Sequence, residues 1–404
     1  MKILPILLGG DLNCYGMALA FHGIGVEKCL ALGKCRLGVT SFSRFVSQVV
    51  DTRMETDSGR RAVITEVSGR FPELRPILIG CTDEYASFLA REREAFGERF
   101  VIPSPPPSVL RYGDKAVFLQ ECLKRDFPMP KTVLLRGEDP VPAIVPFLYP
   151  AVLKPSVSEE YWRYPFPGMC KVWFPKNATE AETVRRRIRD SGYRGTLLLQ
   201  ERLSVEDADN YVFTTYSDSQ GRVKAAAFGH VLAEEHTPRG LGNHAAILTE
   251  APPPITRGII SLLEEIGYRG FANFDFLRHP QSGELYLLEM NLRQGRSNHY
   301  MMAAGLNPAG LIYADLILGE ELSFQSAVPN ILWYSMPLDI LYSRVKDPLL
   351  LARIRALSEG GRAVSPFYER GDIRGNFLRR AYVYEHERRA RRRAARWDAA
   401  EVHA

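Results

Sequence analysis

The 404-residue sequence is poor in cysteine: six residues, at 14, 29, 35, 81, 122 and 170, with no C-x-x-C pair among them. That spacing argues against a disulfide frame or a zinc site and for reduced thiols. No uninterrupted apolar run is long enough to cross a bilayer, so no stable membrane insertion is expected. Met1–Leu8 starts like a signal peptide, but Gly9-Gly10-Asp11 ends the run and no A-x-A-like cleavage site follows. A cytoplasmic protein is the expectation. A broad charge excess is missing too. The net charge is +5, and Arg388, Arg389, Arg391, Arg392, Arg393 and Arg396 alone contribute six. The rest of the chain is near neutral, which speaks against a nucleic-acid-coating protein. Gly9-Gly10 does not extend to a G-x-G-x-x-G fingerprint, so a dinucleotide site has little support.

What is present is ordinary globular composition, 46% hydrophobic and 25% charged, with length for two or three domains. Ile3–Leu8, 27–32 and 77–80 have the pattern of buried strands, and 14–23 and 84–96 that of helices. The alternation predicts a doubly wound α/β unit over about the first hundred residues. Ser104-Pro-Pro-Pro107 marks a boundary. Beyond it, 114–125 has helical spacing, 149–155 is a short strand ending at Lys154-Pro155, and 155–170 is an aromatic loop. A strand is expected over 171–174, a charged helix over 178–191 and an apolar strand over 196–203 that turns polar at Gln200-Glu201. Alternating strands at 210–217 and 223–229 flank a turn at 218–221. Helices follow at 256–267 and at 301–318, the latter broken by Asn307-Pro308. The last eighty or so residues are less periodic and end in an arginine-rich helix.

Between those two helices, 271–278 and 284–291 flank the turn sequence His279-Pro-Gln-Ser-Gly283, which predicts a hairpin. Asp275, Glu289 and Asn291 then share one face near a strand end. Buried carboxylates repel one another unless a cation joins them, and hard oxygen donors suit magnesium shared with phosphates. The plainer alternative is a solvated strand end, or pairing with Arg278 and Arg293.

Other polar residues sit at element ends in the same region: Lys115, Lys154, Gln200, Glu201, Glu206, Asp207 and Asp209. Lysines for phosphates, a donor–acceptor strand for adenine, an acid for ribose and carboxylates for magnesium together compose a nucleoside triphosphate site.

Over about residues 113–320 the chain resembles the ATP-grasp superfamily. The resemblance rests on Asp114-Lys115, Pro150-Ala-Val-Leu-Lys154-Pro155, Leu198-Leu-Gln-Glu201, and Phe274-Asp275-Phe276 with Leu288-Glu289-Met-Asn291-Leu-Arg293, the last being similar to the family's E-x-N-x-R metal signature. The opening Pro5-Ile-Leu-Leu-Gly9-Gly10-Asp11-Leu-Asn13-Cys-Tyr15-Gly16-Met17 resembles the D-aspartate ligase branch of carboxylate–amine ligases. The resemblance implies an ATP-grasp fold with an N-terminal doubly wound (pre-ATP-grasp) α/β domain over 1–112. It places an ATP-grasp domain over 113–320, with a lid at about 131–200, and a C-terminal extension over 321–404.

The resemblance assigns Lys115 and Lys154 to the ATP phosphates. Gln200, Glu201 and the backbone through Leu203 go to adenine, and Asp209 or Glu206 to ribose. Asp275, Glu289 and Asn291 would hold two Mg2+ ions, and Arg293 would face the transferred phosphate. The chain departs from the family in its phosphate loop, since 156–168 holds only one glycine, Gly168. Ser156 and Ser158 could donate hydroxyls there; alternatively the loop serves the amine substrate, or its aromatics simply pack down. Activation of a carboxylate as an acyl phosphate, then attack by an amine, is the implied reaction, with D-aspartate and a peptidoglycan precursor as implied partners. A carboxylate needs cations and amide donors, for which Arg239, Arg296, Gly9, Gly10 and Asn13 are candidates. Arg239 can equally be a plain surface arginine, and His299 either relays a proton or is structural. Rival functions are an ATP-grasp amino-acid or peptide ligase with another carboxylate, and a nucleic-acid or membrane binder using the basic tail. That tail is by default a solvated helix.

Overall fold

A computed structural model describes residues 2–203, 206–235 and 242–401, with side chains through 395. The chain divides into two compact units, one of Met1–Val109, Val212–Asn273 and Asn291–Ala404, the other of Leu110–Tyr211 and Phe274–Met290.

The first unit opens with a parallel four-stranded sheet of β1 (Ile3–Leu8), β2 (Cys29–Gly33), β3 (Val46–Val50) and β4 (Arg75–Gly80), in the order β3-β2-β1-β4. Helices α1 (Leu12–Gly23), α2 (Asp57–Gly69) and α3 (Asp83–Phe96) alternate with the strands. Apolar residues occupy both faces of β1, as a parallel strand covered on both sides requires. The doubly wound expectation holds, and the structure adds β3 and α2. Neither has a strong sequence signal, because β3 is only partly buried and α2 carries polar residues through most of its turns.

The second unit contains a three-stranded antiparallel sheet, β5 (Thr132–Leu135), β6 (Val152–Pro155) and β7 (Leu197–Gln200), with β7 central. Helix α4 (Lys115–Leu123) precedes it, and α5 (Ala178–Asp190) contributes Ala181, Val184 and Ile188 to the same apolar cluster as Leu153 and Leu199. The expected strand at 171–174 shrinks to one bridge, Leu153 with Trp173.

The remaining strands are β8 (Asn210–Ser217), β9 (Val223–Glu234), β10 (His244–Glu250), β11 (Gly270–Arg278), β12 (Leu285–Asn291), β13 (Gln325–Ser326), β14 (Leu332–Tyr334) and β15 (Ala363–Val364). They form an eight-stranded sheet in the order β12-β11-β8-β9-β10-β14-β15, with β13 on β9. The hairpin of β11 and β12 is closed by the His279 amide donating to Glu284 O at 2.8 Å and the Gly283 amide to His279 O at 2.9 Å. Helix α6 (Ile255–Glu265) leads into it. The break at Asn307-Pro308 is also present, because Asn307 caps a new helix at Pro308–Ile312. The chain ends in α7 (Phe377–Glu401), 25 residues long.

Candidate active site

In the second unit, Asp114 caps α4, its Oδ1 accepting from the amides of Ala116 at 2.8 Å and Val117 at 3.3 Å. The Ser156 hydroxyl joins the same oxygen and accepts from the Ala116 amide at 3.0 Å, while the Lys115 amide donates to Ser156 O at 3.2 Å. The end of β6 is thereby stitched to the start of α4. Lys154 and Lys115 flank that seam. Ser156 is 1% exposed, so its hydroxyl serves as an internal clasp.

Lys115 Nζ lies 3.2 Å from Glu289 Oε2, with side chains only 12% and 19% exposed. Burial pushes the Glu289 carboxyl up, but the charges of Lys115, Lys171 and Lys154 overcome it and hold it well below the usual carboxylate range. Lys154 is pushed down to about 8, first by burial and then by Lys115 and Lys171, against the attraction of Glu289 and Asp275. Three lysines thus act on two carboxylates. Such a surplus of half-buried positive charge fits a polyanion.

Lys171 belongs to this cluster and was missed in the sequence. The signal was available only as a pairing: Leu153 and Trp173 exchange both backbone hydrogen bonds at 2.9 Å, which returns the chain alongside Lys154. In the glycine-poor segment before it, Tyr161 and Phe166 pack down while Trp162 stays exposed. Ser158 opens a single helical turn, Ser158–Tyr161, and Tyr161 is fully buried with its ring centroid 5.4 Å from that of Tyr193. Phe166 stacks on Trp173 at 6.2 Å, and the Arg187 guanidinium sits 5.5 Å over Trp173.

Gln200 is buried and donates to Thr132 Oγ1 at 2.8 Å. The Glu201 amide donates to Lys131 O at 2.9 Å, and Glu201 Oε2 accepts from the Lys131 amide at 3.3 Å. Leu203 is buried. Glu206 is exposed, whereas Asp209 Oδ1 accepts from Arg278 Nε at 3.2 Å and Nη2 at 3.0 Å. Asp275 and Glu289 are half-buried on β11 and β12; Asn291 is the last residue of β12 and falls in the first unit.

In the first unit, Gly9 and Gly10 follow β1 where it neighbours β4, the switch point of the parallel sheet. Gly9 has φ +137°, and a Cβ there would meet Cys81 Cβ at 3.1 Å. Asp11 caps α1, and burial pushes its carboxyl up against the opposing pull of Arg296. Arg296 reaches Glu235 Oε1 at 2.8 Å and Asp11 Oδ2 at 3.8 Å; Arg293 Nε reaches Asp83 Oδ1 at 2.7 Å. Asn13 is fully buried: its Oδ1 accepts from Gln294 Nε2 at 3.1 Å and Asn298 Nδ2 at 2.8 Å, and its Nδ2 donates to Gln294 O. Its amide locks α1 to the segment carrying both arginines. Burial pushes His299 down to about 4, so the imidazole is neutral, and its Nδ1 has no partner among the described residues. Arg239 lies outside the described residues.

The chain is 30% identical over 402 residues to the D-aspartate ligase of Enterococcus faecium (strain Aus0004), covering 95% of this chain and 94% of that one. It belongs to the D-aspartate ligase family of ATP-grasp carboxylate–amine ligases. Solved structures similar to this family member share its fold. An L-amino acid ligase from Bacillus licheniformis matches with TM-score 0.54 and 15% identity, over 78% of this chain and 74% of that one. The biotin carboxylase domain of Hydrogenobacter thermophilus 2-oxoglutarate carboxylase matches with TM-score 0.57 and 18% identity, over 82% and 74%. The N5-carboxyaminoimidazole ribonucleotide synthetase purK matches with TM-score 0.55 and 14% identity, over 82% and 80%. No family model matches the chain.

Proposed function

We propose that this ATP-grasp ligase joins D-aspartate to an amine of a peptidoglycan precursor in the cytoplasm, releasing ADP and phosphate. The observation that carries the reading is the gathering of three lysines on Glu289: Lys115 Nζ lies 3.2 Å from its Oε2, and Lys154 and Lys171 also act on it. The relative's name supports aspartate, and the carboxylase domain whose structure holds ADP and magnesium supports the nucleotide and the metal.

Lys115, Lys154 and Lys171 hold the phosphates of ATP, Gln200, Glu201 and Leu203 its adenine, and Asp209 or Glu206 its ribose. Asp275, Glu289 and Asn291 are oxygen donors of the kind magnesium takes, and Glu289 is already ionised for that role. Magnesium there supplies a Lewis acid for the phosphate oxygens. Arg293 and Arg296, with Gly9 and Gly10, orient the carboxylate. Its oxygen bonds to the γ-phosphorus as the bond to ADP breaks, giving an acyl phosphate. The amine nitrogen then bonds to the acyl carbon, phosphate leaves, and the amine gives up a proton. Neutral His299 is in the form that accepts one.

A panel of amino acids of both configurations, each with the amine acceptor and magnesium, tests this by ADP release. D-Aspartate should give the highest rate. Release of AMP and pyrophosphate would overturn the mechanism, and preference for another carboxylate would overturn the substrate.

A further inference from the structure

Helix α7 has two unlike sides. On one, Arg379 is fully buried and Val383 is 6% exposed. On the other, Phe377, Ala381, Tyr384, Arg388 and Arg392 recur at helical spacing and all are exposed. Phe377 is 80% exposed, Leu378 61% and Tyr384 71%, a concentration of apolar surface that a solvated helix does not need. Phe42 extends this surface: its ring lies 5.9 Å from that of Tyr382, and Asn376 Nδ2 donates to its carbonyl at 2.9 Å.

Arginines edge the same surface. Arg388 and Arg389 pair with Glu385, and Arg391 with Asp339 and Glu387. Exposed Arg374, Arg380 and Arg392 pair with no carboxylate among the described residues. Exposed aromatic and aliphatic side chains interspersed with arginines, of which Arg380 and Arg392 on the helix have no carboxylate partner among the described residues, match an anionic lipid interface, where rings enter the headgroup level and guanidiniums meet phosphates. Among the described residues no helix is long and apolar enough to cross a membrane. The contact is therefore peripheral.

We propose that the outward face of α7 docks this protein onto an anionic phospholipid surface. The face is pre-formed. Arg379 pairs with Asp372 at 3.1 Å and donates to Val39 O at 2.6 Å, which fixes the helix to the parallel-sheet region, so docking pays little ordering entropy. This inference is independent of the ligase reading.

Co-sedimentation of the full chain with vesicles tests it. The protein should pellet with phosphatidylglycerol–phosphatidylcholine vesicles, not with phosphatidylcholine alone, and should be released by salt. Arg380→Gln with Arg392→Gln should weaken binding roughly thirtyfold. Phe377→Ser with Tyr384→Ser should also weaken it, while both variants keep the parent's thermal midpoint because all four residues are exposed. Three results would overturn the proposal: no pelleting with anionic vesicles, binding by both variants as tight as the parent's, or tighter binding to single-stranded DNA than to vesicles. Loss of a dimer in the Phe377→Ser, Tyr384→Ser variant with vesicle binding intact would assign the face to a second copy of the chain instead.

Discussion

Arg379 and Asp372 in one unit, and Lys115 and Glu289 in the other, are both ion pairs withdrawn from water, yet their surroundings differ. Asp372 accepts from Tyr15 Oη at 2.8 Å and the Arg44 amide at 2.7 Å as well as pairing with Arg379. The Arg379 guanidinium lies 4.2 Å over the Tyr15 ring. Charge there is matched by charge and by donors. Around Glu289 three lysines act, and Lys154 shares the pull of Glu289 and Asp275 with Lys115 and Lys171 close by. A balanced buried pair holds a structure together, whereas an unbalanced one is a site prepared for a charged ligand.

The comparison breaks first at the balanced pair. Arg379→Ala leaves Asp372 charged and buried and should cost about 3–5 kcal/mol of stability in urea unfolding; a loss under 1 kcal/mol would mean the pair behaves like a surface contact. At the unbalanced pair the effect should fall on turnover. Glu289→Gln should slow amide formation by about 10²–10³-fold while the chain still folds cooperatively. Near-normal activity would remove the hairpin from the site.

A pH measurement sharpens the contrast. Lys154 binds its proton less tightly when folded, at about 8 against an ordinary 10.5. Between those values the unfolded chain holds more protons, so stability gained from this residue rises with pH across that window. Wild type should therefore gain on Lys154→Met, by on the order of 2 kcal/mol, between pH 8 and 10.5. A constant difference across that range would show that Lys154 is not held against its charge. The smallest effect belongs to Tyr15→Phe, which removes one of several donors to Asp372 and should cost about 1–2 kcal/mol with activity unchanged.

Much of this was legible in the residues. Asp114 before an apolar-periodic run marks the start of α4, and with it Lys115 at the first helical position. Lys154 beside Pro155 closes β6, and the turn 279–283 separates β11 from β12. The glycine-poor segment 156–168 was ambiguous, because hydroxyls and aromatics suit a ligand and a core equally well. In the structure Tyr161 docks against Tyr193 and Phe166 against Trp173, while Trp162, Arg163, Pro165, Pro167 and Gly168 stay exposed. Asn13 carries the same ambiguity: an amide near a glycine turn suits a substrate, and in the structure its Oδ1 accepts from the distant Gln294 and Asn298.

By itself the sequence determined the elements and the kinds of side chain at their ends, since capping, turns and apolar periodicity are set by near neighbours. Only the tertiary structure decided which of those side chains meet. It brought Lys171 to Lys154, spent Ser156 on Asp114, and set one buried ion pair in balance and the other out of it. The physical reason is that a charge's energy depends on its desolvation and on every other charge brought near, and folding contributes both over distances that local pattern does not reach.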